Sequence, residues 1–164
     1  MALLKKQKND SFVCTEKADI IRMIKEYFEE AELKYKYDDD ENLPTYITGS
    51  MGDDLPILAV IHIRDESLSF TCPLNLKAKP DNYHKVIWEL NRINKQLIYG
   101  AFYLDPDDGF IVYEYGFPYN EAKFTKDFFL GFLQMTVDTV DQFDGDLKHL
   151  AEKVNRPEYD MMYR

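Results

Sequence analysis

The stretch LPILAVIHIRDESLSFTCPL, residues 55–74, decides how this chain folds. Its first half, Ile57-Leu58-Ala59-Val60-Ile61, is apolar on both sides of an extended backbone, the mark of a central strand within Leu55–Arg64. Asp65-Glu66 then supplies a polar turn. Beyond it, in a strand spanning Leu68–Leu74, Leu68, Phe70, Cys72 and Leu74 alternate with Ser69, Thr71 and the preceding Ser67, the two-residue period of a strand with one packed face. Two strands joined by so short a connection pair antiparallel. Upstream, Thr45–Met51 adds a third strand, set off by the turn-forming Gly52-Asp53-Asp54.

Outward from this meander the period changes from two to three or four. Ahead of it, Ile20, Met23, Ile24, Tyr27, Phe28 and Ala31 recur at helical spacing behind Thr15, a candidate N-cap. The run Asp38-Asp39-Asp40-Glu41-Asn42 repels itself and reads as a solvated loop. Behind the meander, Pro80 and Asp81 open a second helix in which Tyr83, Val86, Ile87, Leu90, Ile93 and Leu97 share one stripe. Tyr99–Asp105 and Phe110–Tyr119 follow as strands around Pro106-Asp107-Asp108-Gly109, where Asp-Gly favours a tight hairpin. Over Thr125–Val154 the residues Phe129, Leu133, Thr136, Val140, Phe143, Leu147, Leu150 and Val154 step by four and three, a heptad seam in which Gly145 marks a bend or pause. The expected fold class is α+β, an antiparallel sheet of five to six strands flanked by helices in the order α-βββ-α-ββ-α. One domain over residues 1–164 is expected, with its core at about 15–154 and mobile tails.

Composition narrows the function. A net charge of -10 sets the surface against a phosphate backbone, so nucleic acid is not an expected partner. Lys5-Lys6-Gln7-Lys8 is the one dense basic run and reads as a solubilising tail. No apolar run approaches the roughly 20 residues of a membrane span, and Met1-Ala2-Leu3-Leu4-Lys5-Lys6 turns charged too early for a signal peptide, so no membrane partner and a cytoplasmic location are expected. Cys14 and Cys72 read as free thiols. Aromatic residues reach 15%, with 12 Tyr and 11 Phe against one Trp, more large amphipathic surface than the interior requires.

Three segments carry a family likeness. They are Glu89-Leu90-Asn91-Arg92-Ile93-Asn94, then Tyr99-Gly100-Ala101-Phe102-Tyr103-Leu104-Asp105 with its Asp108-Gly109 turn, then Val112-Tyr113-Glu114-Tyr115-Gly116-Phe117-Pro118, all ahead of a long amphipathic helix. In these the chain resembles the YbjN-like proteins, whose fold is similar to that of the type III secretion chaperones. The resemblance covers about residues 17–154 in element order and residues 86–119 in wording. It implies an antiparallel sheet flanked by helices, no known enzymatic activity, and the label of sensory-transduction regulator used for part of the family. The secretion chaperones are small acidic proteins that often dimerise and hold an extended client, and this chain is similar to them in size and acidity.

Catalysis needs a positioned base, nucleophile or metal. His62, His84 and His149 are scattered without ligand-spaced neighbours, and each reads as structural or surface. Asp105-Pro106-Asp107-Asp108-Gly109 lacks the later ligands of a calcium loop, and Gly49-Ser50-Met51-Gly52 lacks the Lys-Ser/Thr of a phosphate loop. Neither an enzyme nor a cofactor site is expected. What remains is surface. Trp88 falls nearly opposite the apolar stripe of the second helix, beside His84, Lys85 and Arg92, with the composition of an interface anchor. On the fifth strand Ile111, Tyr113, Tyr115, Phe117 and Tyr119 share one face, a candidate platform for an extended peptide with Tyr46 and Tyr103 nearby. The candidate partner-binding residues are therefore Trp88, Arg92, Tyr103, Tyr113, Tyr115 and Tyr119. A protein or peptide client is expected, with homodimerisation through the second helix a separate possibility and a small-ligand pocket between sheet and last helix the alternative.

Overall fold

A computed structural model describes residues 16–119, 124–155 and 159. The expected core of elements is present, with one strand added after the first helix and another after the last. Helix α1 (Lys17–Glu30) leads into β1 (Tyr35–Asp38), β2 (Thr45–Met51), β3 (Pro56–Ile63) and β4 (Ser67–Lys77). A short 3-10 turn (Pro80–Asn82) opens α2 (Tyr83–Asn94), followed by β5 (Ala101–Leu104), β6 (Phe110–Pro118), α3 (Lys126–Leu147) and β7 (Glu152–Lys153). All seven strands pair antiparallel in the order β1-β2-β3-β4-β6-β5, with β7 on the far part of β4.

One row across the sheet shows where the core lies. Tyr37, Tyr46, Ile61, Phe70 and Tyr115 are successive cross-strand partners and so point to one side. There the rings of Tyr27 and Phe28 from α1 and Phe129 from α3 meet Tyr35, Tyr46 and Phe70. The inward residues of α2, Val86, Leu90 and Ile93, belong to the same core at the β5 end. On the other side, Leu58 and Tyr159 form a second, small cluster with Ile47 and Val60.

Several local expectations change. Residues Tyr35–Asp38 form an edge strand, their tyrosines inward and Lys36 and Asp38 outward. Thr15 lies outside the described residues, and Glu16 takes the N-cap position of α1 without a side-chain hydrogen bond. The seam of α3 stays buried from Phe129 through Leu147, but Leu150 and Val154 leave the helix. After the cap at Lys148 the chain turns, and the Val154 N–H donates to the Asn75 carbonyl 2.8 Å away, an attachment to β4 that no helical period encodes. The helix does not pause at Gly145 but runs on to Leu147. The Asp54 carboxylate occupies the place a Cβ would take, and Asp54 is ion-paired with Lys148. In the β5–β6 connection only Gly109, at φ 78°, is left-handed, and the side chains of Asp105 and Asp108 brace the turn by accepting from the Asp107 and Phe110 N–H groups at 2.9 Å.

Pro73 explains why β4 has three partners. It has no N–H for a ladder, and β3 pairs with β4 only up to Thr71. The register against β6 shifts between Pro73 and Lys77, where Leu76 and Lys77 pair with β7.

Candidate functional site

The outer face of α2 follows from helical phase. With Val86, Leu90 and Ile93 turned inward, Trp88 is carried to the opposite side, where 76% of its surface is exposed. His84 and Arg92 lie one turn before and after it, Lys85 three residues before and Lys95 seven residues after, all of them exposed. Ile87 beside it and Ile98 beyond the helix end are also exposed, Ile98 at 87%.

The charges on this face are unequally committed. Arg92 grips Glu89 with Nη2 to Oε1 at 2.5 Å and Nε to the two carboxylate oxygens at 2.9 and 3.0 Å. The hydrogen bond from Arg92 holds the Glu89 carboxyl below the usual carboxylate range, and the same bond raises the guanidinium, with a smaller pull from Asp146 on α3. Lys85 and Lys95 have no ion pair among the described residues.

What holds α2 in place is Asn94, in its last turn. Its Nδ2 donates to the Phe102 carbonyl and its Oδ1 accepts from the Phe102 N–H, both at 2.8 Å. A side-chain amide thereby satisfies both backbone groups of an edge-strand residue. The Asn94 and Phe102 positions fall within two of the segments that carry the family likeness, so in this chain those segments include a structural clamp.

The tyrosine platform is not there. Tyr113 and Tyr119 are fully buried and Tyr115 is half-buried, because α3 lies across the face they share. Tyr113 Oη donates to the Tyr99 carbonyl at 3.1 Å, and its ring packs on Phe102 at 5.0 Å. Tyr119 Oη donates to the Asp65 carbonyl at 2.9 Å and also to that of Arg64. Burial pushes both phenols up to about 12. Tyr115 stacks on Phe132 at 5.2 Å. Of the six sequence candidates, Trp88 and Arg92 share the α2 face, Tyr103 stands 39% exposed on the other side of the sheet, and the remaining three face the interior. The period-two pattern groups them correctly, but period alone does not say which face receives the helix.

Among the described residues, aromatic rings occupy the space between sheet and α3, with Phe132 stacked on Phe117 at 4.6 Å and Phe129 tilted against Phe70 at 5.8 Å. A shallow cleft of about 180 Å³ lies elsewhere, lined by Lys79, Asn82, His149, Leu150, Ala151 and Glu152. That is below the roughly 300–1,000 Å³ of drug-sized ligand pockets. His62 sits in β3 with Nδ1 3.1 Å from Thr45 Oγ1, and burial lowers its pKa; His84 is on α2 and His149 follows α3, so the three histidines do not converge. The Cys72 thiol is buried and pushed up to about 12. Cys14 lies outside the described residues.

Sequence reasoning gave no role to Asp144. Its side chain is completely buried near the foot of α3, and neither carboxyl oxygen has a hydrogen bond of regular geometry. Burial, then the nearby Asp141 and Asp54, pushes its pKa up to about 6, only partly offset by the N–H groups of Gly145 and Leu55. Asp141 itself accepts from the Asp53 N–H at 2.6 Å, which with the Lys148–Asp54 pair docks the β2–β3 turn on α3.

Among the described residues, no helix is long and apolar enough to cross a membrane. A profile of the YbjN family, described as "Putative bacterial sensory transduction regulator", matches residues 21–149. No curated protein matches the chain. Among solved structures, the fold is similar to the crystal structure of YbjN, "a putative transcription regulator from E. coli", with a TM-score of 0.61 and 13% identity over 85% of this chain and 98% of that one.

Proposed function

The chain belongs to the YbjN family, and from that premise we propose that it is a regulator that acts without catalysis by holding another protein on the outer face of α2. The observation that carries this reading is the exposure of Trp88 on a helix whose inner face is already packed and whose end is clamped to β5. A large amphipathic ring with an arginine one turn away is the composition of an interface anchor. Client holding of this kind is chaperone-like in the sense the sequence resemblance suggests, but it rests on α2 and not on the tyrosines of β6. A small-ligand sensor has less support, because rings occupy the space where its pocket would lie.

The test is affinity isolation from a bacterial lysate with the immobilised chain and with Trp88→Ala. A defined protein retained saturably by the first and lost from the second, at an unchanged melting temperature, supports the reading. Equal retention by both overturns it.

A further inference from the structure

We infer that the partner segment received by α2 is acidic, with an apolar side chain seated on Trp88 and carboxylates paired with Lys85 and Lys95. The inference rests on the reading of α2 as a protein-binding face and adds the chemistry of what binds there.

Charge distribution carries it. The chain as a whole has a net charge of -10, yet the groups of α2 around Trp88 are Lys85, Arg92, Lys95 and the imidazole of His84, with the exposed Asp81 of the preceding turn, which bears on Lys79, the one acid near the start of this face. The one acid within the helix, Glu89, is spent on Arg92, and the more distant Asp146 bears on the same guanidinium. Among the described residues Lys85 and Lys95 have no ion-pair partner, on a face that is otherwise apolar at Trp88 and Ile87. Along the axis Trp88 and Lys95 are about 10 Å apart at 1.5 Å per residue. Lys85 is about 5 Å from Trp88 in the other direction on the same rise. Two such cations thus flank the indole, close enough to act on one ligand within a Debye length of about 8–10 Å. A partner that buries Trp88 must also cover these ammonium groups, and leaving them uncompensated under an interface is costly.

The same charges argue against other occupants. A second copy docked symmetrically on this face would set Lys85, Arg92 and Lys95 against their own counterparts, between two bodies each of charge -10. Nucleic acid or an anionic bilayer would bring many more negative charges than the two or three local cations can pair, and the excess would meet the repulsion of the whole chain, whereas a short acidic segment brings only as many carboxylates as these cations can take.

The experiment is selection of displayed random 12-residue peptides on the full chain and, in parallel, on Lys85→Glu/Lys95→Glu. Enriched peptides are then synthesised and titrated while the emission of Trp88, the only indole in the chain, is followed. The expected result has four parts: Asp/Glu-rich sequences with at least one large apolar residue on the wild type, a blue shift on binding, affinity at least tenfold weaker in 500 mM than in 50 mM salt, and loss of these sequences on the double variant. Neutral or basic sequences that shift Trp88 emission and bind both proteins alike overturn the acidic inference and leave α2 as a protein-binding face. Enrichment that ignores Trp88→Ala, or none at all, overturns both. A blue shift with phosphatidylglycerol vesicles, single-stranded DNA or rising protein concentration, without one from acidic peptides, overturns the inference in favour of a membrane, nucleic acid or a second copy.

Discussion

Trp88 and Asp144 stand on opposite sides of the usual partition of residues, an indole left in water and a carboxyl taken out of it. The difference lies in what the chain can do about each. Asp144 can relieve its burial by holding a proton, and its pKa, raised to about 6, is the sign of that remedy. Trp88 has no such option. Only a covering surface removes an indole from water, and the core that α1 and α3 share with α2 takes the inner stripe of α2 and leaves Trp88 outside. A misplaced acid can therefore be a private matter of the fold, whereas a misplaced ring on an otherwise satisfied helix points outward.

The comparison breaks first at the rings. If Tyr113 is interior as placed, Tyr113→Ala costs about 3–5 kcal/mol in urea unfolding, the range of large aromatic truncations in cores. A loss below about 1 kcal/mol would return it to the surface. The next largest effect tests the acid. Because the folded pKa of Asp144 lies above the ordinary 3.8, the folded state holds the proton more tightly, and the cost of burial is absent below pH 4 and complete above about pH 6. Asp144→Asn should therefore match the wild type near pH 4, gain on it as pH rises to 6, and level off up to about 3 kcal/mol more stable. A stability difference independent of pH would remove the protonation account. Asn94→Ala, which releases α2 from β5, should cost about 2 kcal/mol through two lost hydrogen bonds, with faster amide exchange along β5. The smallest change is expected at Trp88→Ala, within about 0.5 kcal/mol by circular-dichroism melting, since the ring touches little of its own chain.

Much of this was legible in the residues. Strands β2 to β6 and all three helices follow from changes of period, and the outward phase of Trp88 follows from the stripe of Val86, Leu90 and Ile93. Strand β1 was not, because four residues beside an acidic run carry too little pattern. Strand β7 exists through its pairing with Leu76 and Lys77 and has no local signal of its own. The site divided in the same way. Helical phase locates an exposed residue once the inner stripe is known, but the tyrosines of β6 needed the position of α3, a tertiary fact. Asp144, at the flank of a seam of hydrophobic positions, reads as a surface acid until the β2–β3 turn is seen lying over it.

The amide of Asn94 has one more consequence. By presenting a donor and an acceptor at the spacing of a neighbouring backbone, it acts as a plug in the β5 border, where another chain would otherwise add a strand and continue the sheet. The opposite border, β1, is only four residues long and carries Lys36 and Asp38 on its exposed side. A protein built around a broad, ring-rich sheet thus limits strand-by-strand growth into fibrils at both ends, and loss of the Asn94 amide would open the β5 border.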